Sequence, residues 1–231
     1  MRNAVLWVMA ATGVLVSLPA SADVRLSARG ALYYGGYEFS AYSSAGGGND
    51  GGKIYGGGVG TNIGFGRAFV DVGVDYFQIR DGLGDPVSGH AVKFSRTDAI
   101  VTGGARIVDW LSAFGGFRFG YQDFGKNVFG NSLWNEWGLF AGPSVGPFNI
   151  GGPVRLSVSA AYNINRVTPK GSTTNFSYNG VSGKVRFALA KTPHAIEIRA
   201  QRFSNDKPTE LDFNETYAYV GYIFTWNFLN R

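Results

Sequence analysis

Alternation of apolar and polar side chains at a period of two recurs along nearly the whole chain, and it predicts strands. The clearest case is residues 154–165. There Val154, Leu156, Val158, Ala160, Tyr162 and Ile164 alternate with Arg155, Ser157, Ser159, Ala161, Asn163 and Asn165. A helix would scatter both sets round its circumference, whereas a strand sorts them onto two faces. Residues 68–76 repeat the pattern, with Ala68, Val70, Val72, Val74 and Tyr76 against Asp71, Gly73 and Asp75. So do Val181, Val185, Phe187 and Leu189 against Ser182, Lys184 and Arg186, and Ile196, Ile198 and Ala200 against Glu197, Arg199 and Gln201. A last segment reads Ala218, Val220, Tyr222, Phe224, Trp226, Phe228. With further segments near 23–42, 53–65, 96–108, 113–124 and 135–146, ten strands are expected, eight being the alternative.

The joining segments alternate in length. Long ones are expected at 43–52, 81–95, 125–134, 166–178 and 205–212, and short ones near Gly66, 109–112, 147–153 and 191–194. One apolar face on every strand requires lipid, and an open sheet edge is not tolerated in hydrocarbon. The pattern therefore predicts an all-β, antiparallel, up-and-down transmembrane barrel with tight turns on the periplasmic side and longer loops outside. Residues 137–154 carry no charge, but Pro143, Pro147, Pro153 and five glycines argue against a membrane helix there. The Gly35-Gly36 pair marks a possible bulge, which leaves the facing of Tyr37, Glu38 and Phe39 open.

The N-terminus has a different character. Arg2, an uncharged apolar stretch from Ala4 to Leu18, Pro19 and the small residues Ala20-Ser21-Ala22 have the layout of an export signal. Residues 1–22 are expected to be a cleaved signal peptide and residues 23–231 the barrel. Composition agrees with an exported membrane protein: charged residues are 16% of the chain against about 25% in average soluble proteins, and glycine, at 35 residues, is about twice its usual share. The net charge of +5 is too small to argue for nucleic acid. The absence of cysteine excludes disulfides, thiol catalysis and cysteine-bound metal.

Aromatic residues suggest girdles where the apolar band meets the headgroups. Phe65, Trp110, Phe114, Trp226 and Phe228 are expected at the periplasmic rim, and Tyr55, Trp134, Trp137, Tyr178 and Tyr217 at the outer rim. In this whole pattern the chain resembles the small outer-membrane barrel proteins of Gram-negative bacteria, the group of opacity-type adhesins, short porin-like proteins and barrel hydrolases. The resemblance implies location in the bacterial outer membrane and contact with its lipid and lipopolysaccharide. It also implies insertion by the barrel-assembly machinery, which recognises a terminal aromatic. Here Phe228 is followed by Leu229, Asn230 and Arg231.

Inward-facing charge is the candidate chemistry. Strand phase places Arg25, Arg29, Arg106, Arg118, Arg155, Lys184, Arg186 and Arg199 in the lumen with Asp71, Asp75, Asp98, Glu136, Glu197 and Glu215. A barrel of this size is only slightly wider than one that side chains just fill, so ion pairs across it would narrow or close the bore. A weakly anion-preferring pore is the alternative. The turn at 191–194 sets Arg186 opposite or diagonal to Glu197, which makes that pair the best-defined expectation. A basic collar of Lys53, Arg80, Lys93, Arg96, Lys126, Arg166, Lys170, Arg202 and Lys207 would face lipopolysaccharide phosphates, although ordinary loop charge explains it nearly as well.

Enzyme chemistry finds little support. Of two histidines, His90 falls in an expected outer loop and His194 in a periplasmic turn, so they cannot share a metal. Asp81, Asp85 and His90 share one loop, but no second Asp-His motif follows as the barrel proteases would require. Neither histidine stands on a strand with a serine, as in the lipid A deacylase barrels. The run Gly56-Gly57-Gly58-Val59-Gly60 lies within a strand and cannot open a helix to cradle phosphate. No cofactor or metal is expected. The sequence thus points to a non-enzymatic, porin-like or structural barrel, with an adhesin-like surface binder or a lipid A-modifying or protease-type enzyme as alternatives.

Overall fold

The computed structural model describes residues 24–43, 46–84, 91–123, 133–170, 175–205 and 211–230, with the side chains of 39, 41–43, 46–50, 79–84, 91–94, 169, 211–213 and 229–230 left aside. The expected signal peptide therefore lies outside the described residues, as do Asp85, His90, Lys126 and Lys207. Alternation becomes ten strands: β1 (Val24–Ser43), β2 (Gly46–Phe65), β3 (Ala68–Gly84), β4 (Ala91–Val108), β5 (Leu111–Asp123), β6 (Leu133–Gly151), β7 (Val154–Pro169), β8 (Phe176–Leu189), β9 (His194–Asn205) and β10 (Leu211–Asn230). Each pairs antiparallel with its neighbours in sequence, and β1 pairs with β10 to close the barrel.

The strands outrun the expected ones on the long-loop side. Much of 43–52, 81–95 and 166–178 continues the ladders as hairpin arms, because beyond the lipid band the pairing persists while the apolar alternation that reveals it is no longer required. The opposite ends turn tightly. Gly66 and Gly152 take the left-handed φ values (58° and 52°) that these connections need, where a Cβ would be strained.

Every strand presents an exposed apolar residue outward: Leu32, Val59, Val74, Val101, Phe117, Leu139, Ile164, Val181, Ile198 and Val220. The buried residues sit on the other face, inside the bore. An apolar belt around a closed, hydrogen-bonded wall is a transmembrane barrel of the outer-membrane type. Gly35-Gly36 is no bulge: the β1–β10 register runs through it unbroken, turning Tyr37 inward, and the irregularity lies at Leu26/Ser27 instead.

The girdles need correction. Trp110, Trp226 and Phe228 are exposed at the turn side, and Tyr55 and Trp137 are exposed nearer the long connections. Tyr178 and Tyr217, expected at the outer rim, are instead buried in the lumen, and Trp134 packs against the same internal cluster. Phe114 also faces inward.

Candidate functional site

The lumen holds two charged layers. In the layer towards the long connections, Arg96 of β4 is the hub. Its Nε donates to both oxygens of Asp98 at 2.9 Å, its Nη2 to Glu136 at 2.8 Å and its Nη1 to the Tyr217 hydroxyl at 2.8 Å, and Glu215 lies 3.6 Å from Nη1. Gln122 donates to Glu136 at 3.0 Å, and the hydroxyls of Tyr178 and Tyr217 donate to Glu215. Gly120, between Asp98 and Glu136 in the ladders, makes this convergence possible: a Cβ there would stand 2.9 Å from the Asp98 carboxylate and 3.2 Å from Glu136. Tyr37, Ile54, Val167, Tyr178 and Phe203, each at most 1% exposed, fill the cross-section around it.

Arg96 was expected in the outer collar. At 2% exposure it is an internal residue, and the reason is phase: it stands two residues from Asp98, so both side chains point the same way. Asp98, Glu136 and Glu215 were expected in the lumen, whereas the hub Arg96 and the inward Tyr178, Tyr217 and Trp134 are what sequence reasoning missed. The phase of Tyr217, one off from outward Ala218 and Val220, carried the signal.

The second layer lies nearer the short turns. Arg199 of β9 pairs with Glu197 through Nε and with Asp75 at 3.2 Å, and contacts the Tyr219 hydroxyl at 3.3 Å. Tyr33 donates to Asp75 at 2.9 Å, and Arg29 bonds Asp71 at 2.5 Å. Arg186 is register partner to Glu197, as expected, but the carboxylate is held by Arg199 and approached by Lys184 at 3.8 Å. The Arg186 guanidinium instead reaches Thr225 at 3.4 Å.

Arg118 of β5 donates to Gln201 at 2.7 Å, with Glu136 of the first layer 3.8 Å away. Thus Asp75, Lys184, Glu197 and Arg199 form one internal cluster, Asp71 pairs with Arg29, and Arg118 pairs with Glu136 and Gln201. Arg106 and Arg155 do not join them. They keep inward phase but stand at the turn-side ends of β4 and β7, exposed and without an ion pair among the described residues. Of the collar, Lys53, Arg166 and Lys170 are exposed, and Arg166 lies over the Trp137 ring at 6.0 Å. The side chains of Arg80 and Lys93 fall outside those described. His194 faces outward at the turn-side rim, against Phe224 and 2.6 Å from the Tyr222 hydroxyl. Among the described residues no group of three metal-ligating side chains occurs.

No family model matches the chain, and no curated protein matches it. Solved barrels do resemble it. An outer membrane channel from Pseudomonas putida F1 is 8% identical with a TM-score of 0.43, covering 91% of this chain and 97% of the channel. Neisserial surface protein A is 11% identical with a TM-score of 0.37, covering 87% and 96%. The attachment invasion locus protein of Yersinia pestis is 12% identical with a TM-score of 0.30, covering 87% and 99%. At these scores the likenesses carry no argument about what this chain does. The fold stands on its own geometry, a closed ten-stranded barrel of the outer-membrane type.

Proposed function

We propose that this protein is a non-enzymatic barrel of the bacterial outer membrane whose lumen is closed to passive solute flow. The observation that carries this reading is the layer around Arg96, where the hub cation, its carboxylates and the surrounding aromatic side chains leave less than a tenth of any of them exposed. Its charged members are spent on one another, which supports a closure built to hold and leaves little to act on a substrate. In planar bilayers the folded protein should give no resolvable channel steps. A large, steady wild-type conductance would show that the layer is not a seal.

A surface-binding role has separate support. Arg166, over the Trp137 ring, and Lys170 are exposed on the long-loop side of β7, with Lys53 exposed on β2, and this is the chemistry that lipopolysaccharide phosphates and sugars engage. Replacing Arg166 and Lys170 together with Gln should weaken lipopolysaccharide binding to the purified barrel several-fold. Unchanged binding would leave the collar as solvated charge.

A further inference from the structure

Below the sealed layer, on the side of the short turns, the lumen widens into a cavity of about 300 Å³. Its two sides differ. Arg29, Lys184, Arg186 and Arg199 line it from β1, β8 and β9, with Arg118 above. Phe69, Ile100, Phe114 and Phe140 line it from β3 to β6, on the facing side of the barrel. Glycines keep these rings flat against the wall. A Cβ at Gly104 would stand 2.5 Å from the Phe69 ring, and one at Gly116 would stand 2.5 Å from the Phe140 ring, so each ring lies over the glycine paired with it on the adjacent strand. With larger residues at 104 and 116 the rings would be pushed into the bore.

Cations outnumber carboxylates in this half. Five line the cavity, of which Arg29 is engaged by Asp71, Arg199 by Glu197 and Asp75, and Lys184 lies 3.8 Å from Glu197. Arg186 has no ion-pair partner among the described residues. Among the described residues the Nε and Nη1 of Arg118, a residue 6% exposed, have no hydrogen-bond acceptor, the Glu136 carboxylate standing 3.8 Å from Nη1. Arg106 and Arg155, exposed with inward phase at the turn-side ends of their strands, extend the positive potential to the mouth. A concave, low-dielectric cationic site of this kind concentrates anions.

We propose that the cavity binds a small organic anion entering from the periplasmic side, with a phosphate or carboxylate on Lys184 and Arg186 and a ring-sized apolar body against Phe69, Phe114 and Phe140. The volume sits at the lower end of ligand sites, roughly 300–1,000 Å³, which suits one ring and one charged group. Charge-assisted hydrogen bonds supply the recognition of the anion. The site does not depend on whether the barrel conducts, since binding is measured on the protein in micelles.

Phenyl phosphate, inorganic phosphate and benzylamine serve as probes in calorimetric titrations of the folded protein in a non-ionic detergent. Phenyl phosphate should bind saturably, more tightly than inorganic phosphate, and benzylamine should not bind. Lys184→Gln and Arg186→Gln should each weaken phenyl phosphate about ten-fold, the loss of one charge-assisted contact. Phe114→Ala should reduce the advantage over inorganic phosphate, and Lys191→Gln, in an exposed turn outside the cavity, should change nothing. Heat-modifiable gel mobility establishes that each variant is folded. The proposal is overturned by an absence of saturable binding up to about 10 mM, by equal affinity for phenyl phosphate and benzylamine in the wild type, or by affinities that Lys184→Gln leaves unchanged. The first two need no variant to fold.

Discussion

Arg96→Gln is expected to destabilise the barrel by about 3–5 kcal/mol, the cost of leaving buried charges without their partner. Asp98, Glu136 and Glu215 all converge on this guanidinium, and their side chains are at most 5% exposed. Water cannot replace the lost cation at such depth without opening the aromatic packing around it. Adding Glu136→Gln and Glu215→Gln to Arg96→Gln should recover part of the loss, because the repulsion then disappears along with the attraction. Urea unfolding in lipid vesicles, followed by gel mobility, measures both. A single variant within 1 kcal/mol of wild type, by that standard, would mean that the hub is hydrated and the layer open.

The second large effect is expected on the outside. Val158→Arg places a charge on the lipid face of β7, between register partners Val145 and Val185 and near the middle of the apolar run from Val154 to Ile164. The expected loss is about 2–4 kcal/mol, whereas Val154→Arg, at the turn-side end of the same strand, should cost about 0–1 kcal/mol. Equal penalties at the two positions would contradict the placement of the belt, since depth is the only variable that separates them on one face of one strand.

Much of the wall was legible because a period of two leaves no freedom: once Val158 faces lipid, Ser157 and Ser159 face the bore, and the same holds for Asp71 and Asp75 on β3. The layer around Arg96 was legible in principle by the same rule. The neighbouring Asp98 was already assigned inward, and Tyr178 shares the phase of Lys184 and Arg186. Aromatic type and closeness to a loop outweighed phase at Tyr178, Tyr217 and Trp134, and that weighting failed. Pairing across the bore was a different matter. Arg96 meets Tyr217 across 121 positions of sequence, and Arg199 meets Asp75 across 124. Such contacts depend on strand tilt and stagger, which fix which heights of opposite walls coincide and which no local pattern encodes. The cavity was hidden for a related reason: it exists because glycines on one strand make room for rings on the next.

The closing seam sets the order in which this wall can form. β2 and β3, or β8 and β9, need only close a short turn, but Gly30 must find Phe224 and Tyr37 must find Tyr217 with almost the entire chain between them. Loop-closure entropy makes that encounter slow unless the intervening hairpins have already shortened the effective path. Tyr37 and Tyr217, whose rings meet at 4.9 Å across the seam, can pack only once it has zipped. Maturation of the internal layer is therefore kinetically tied to the final step of assembly, and a chain held with β1 and β10 apart would be extensively hydrogen-bonded, left with two edges that hydrocarbon does not tolerate, and still hollow.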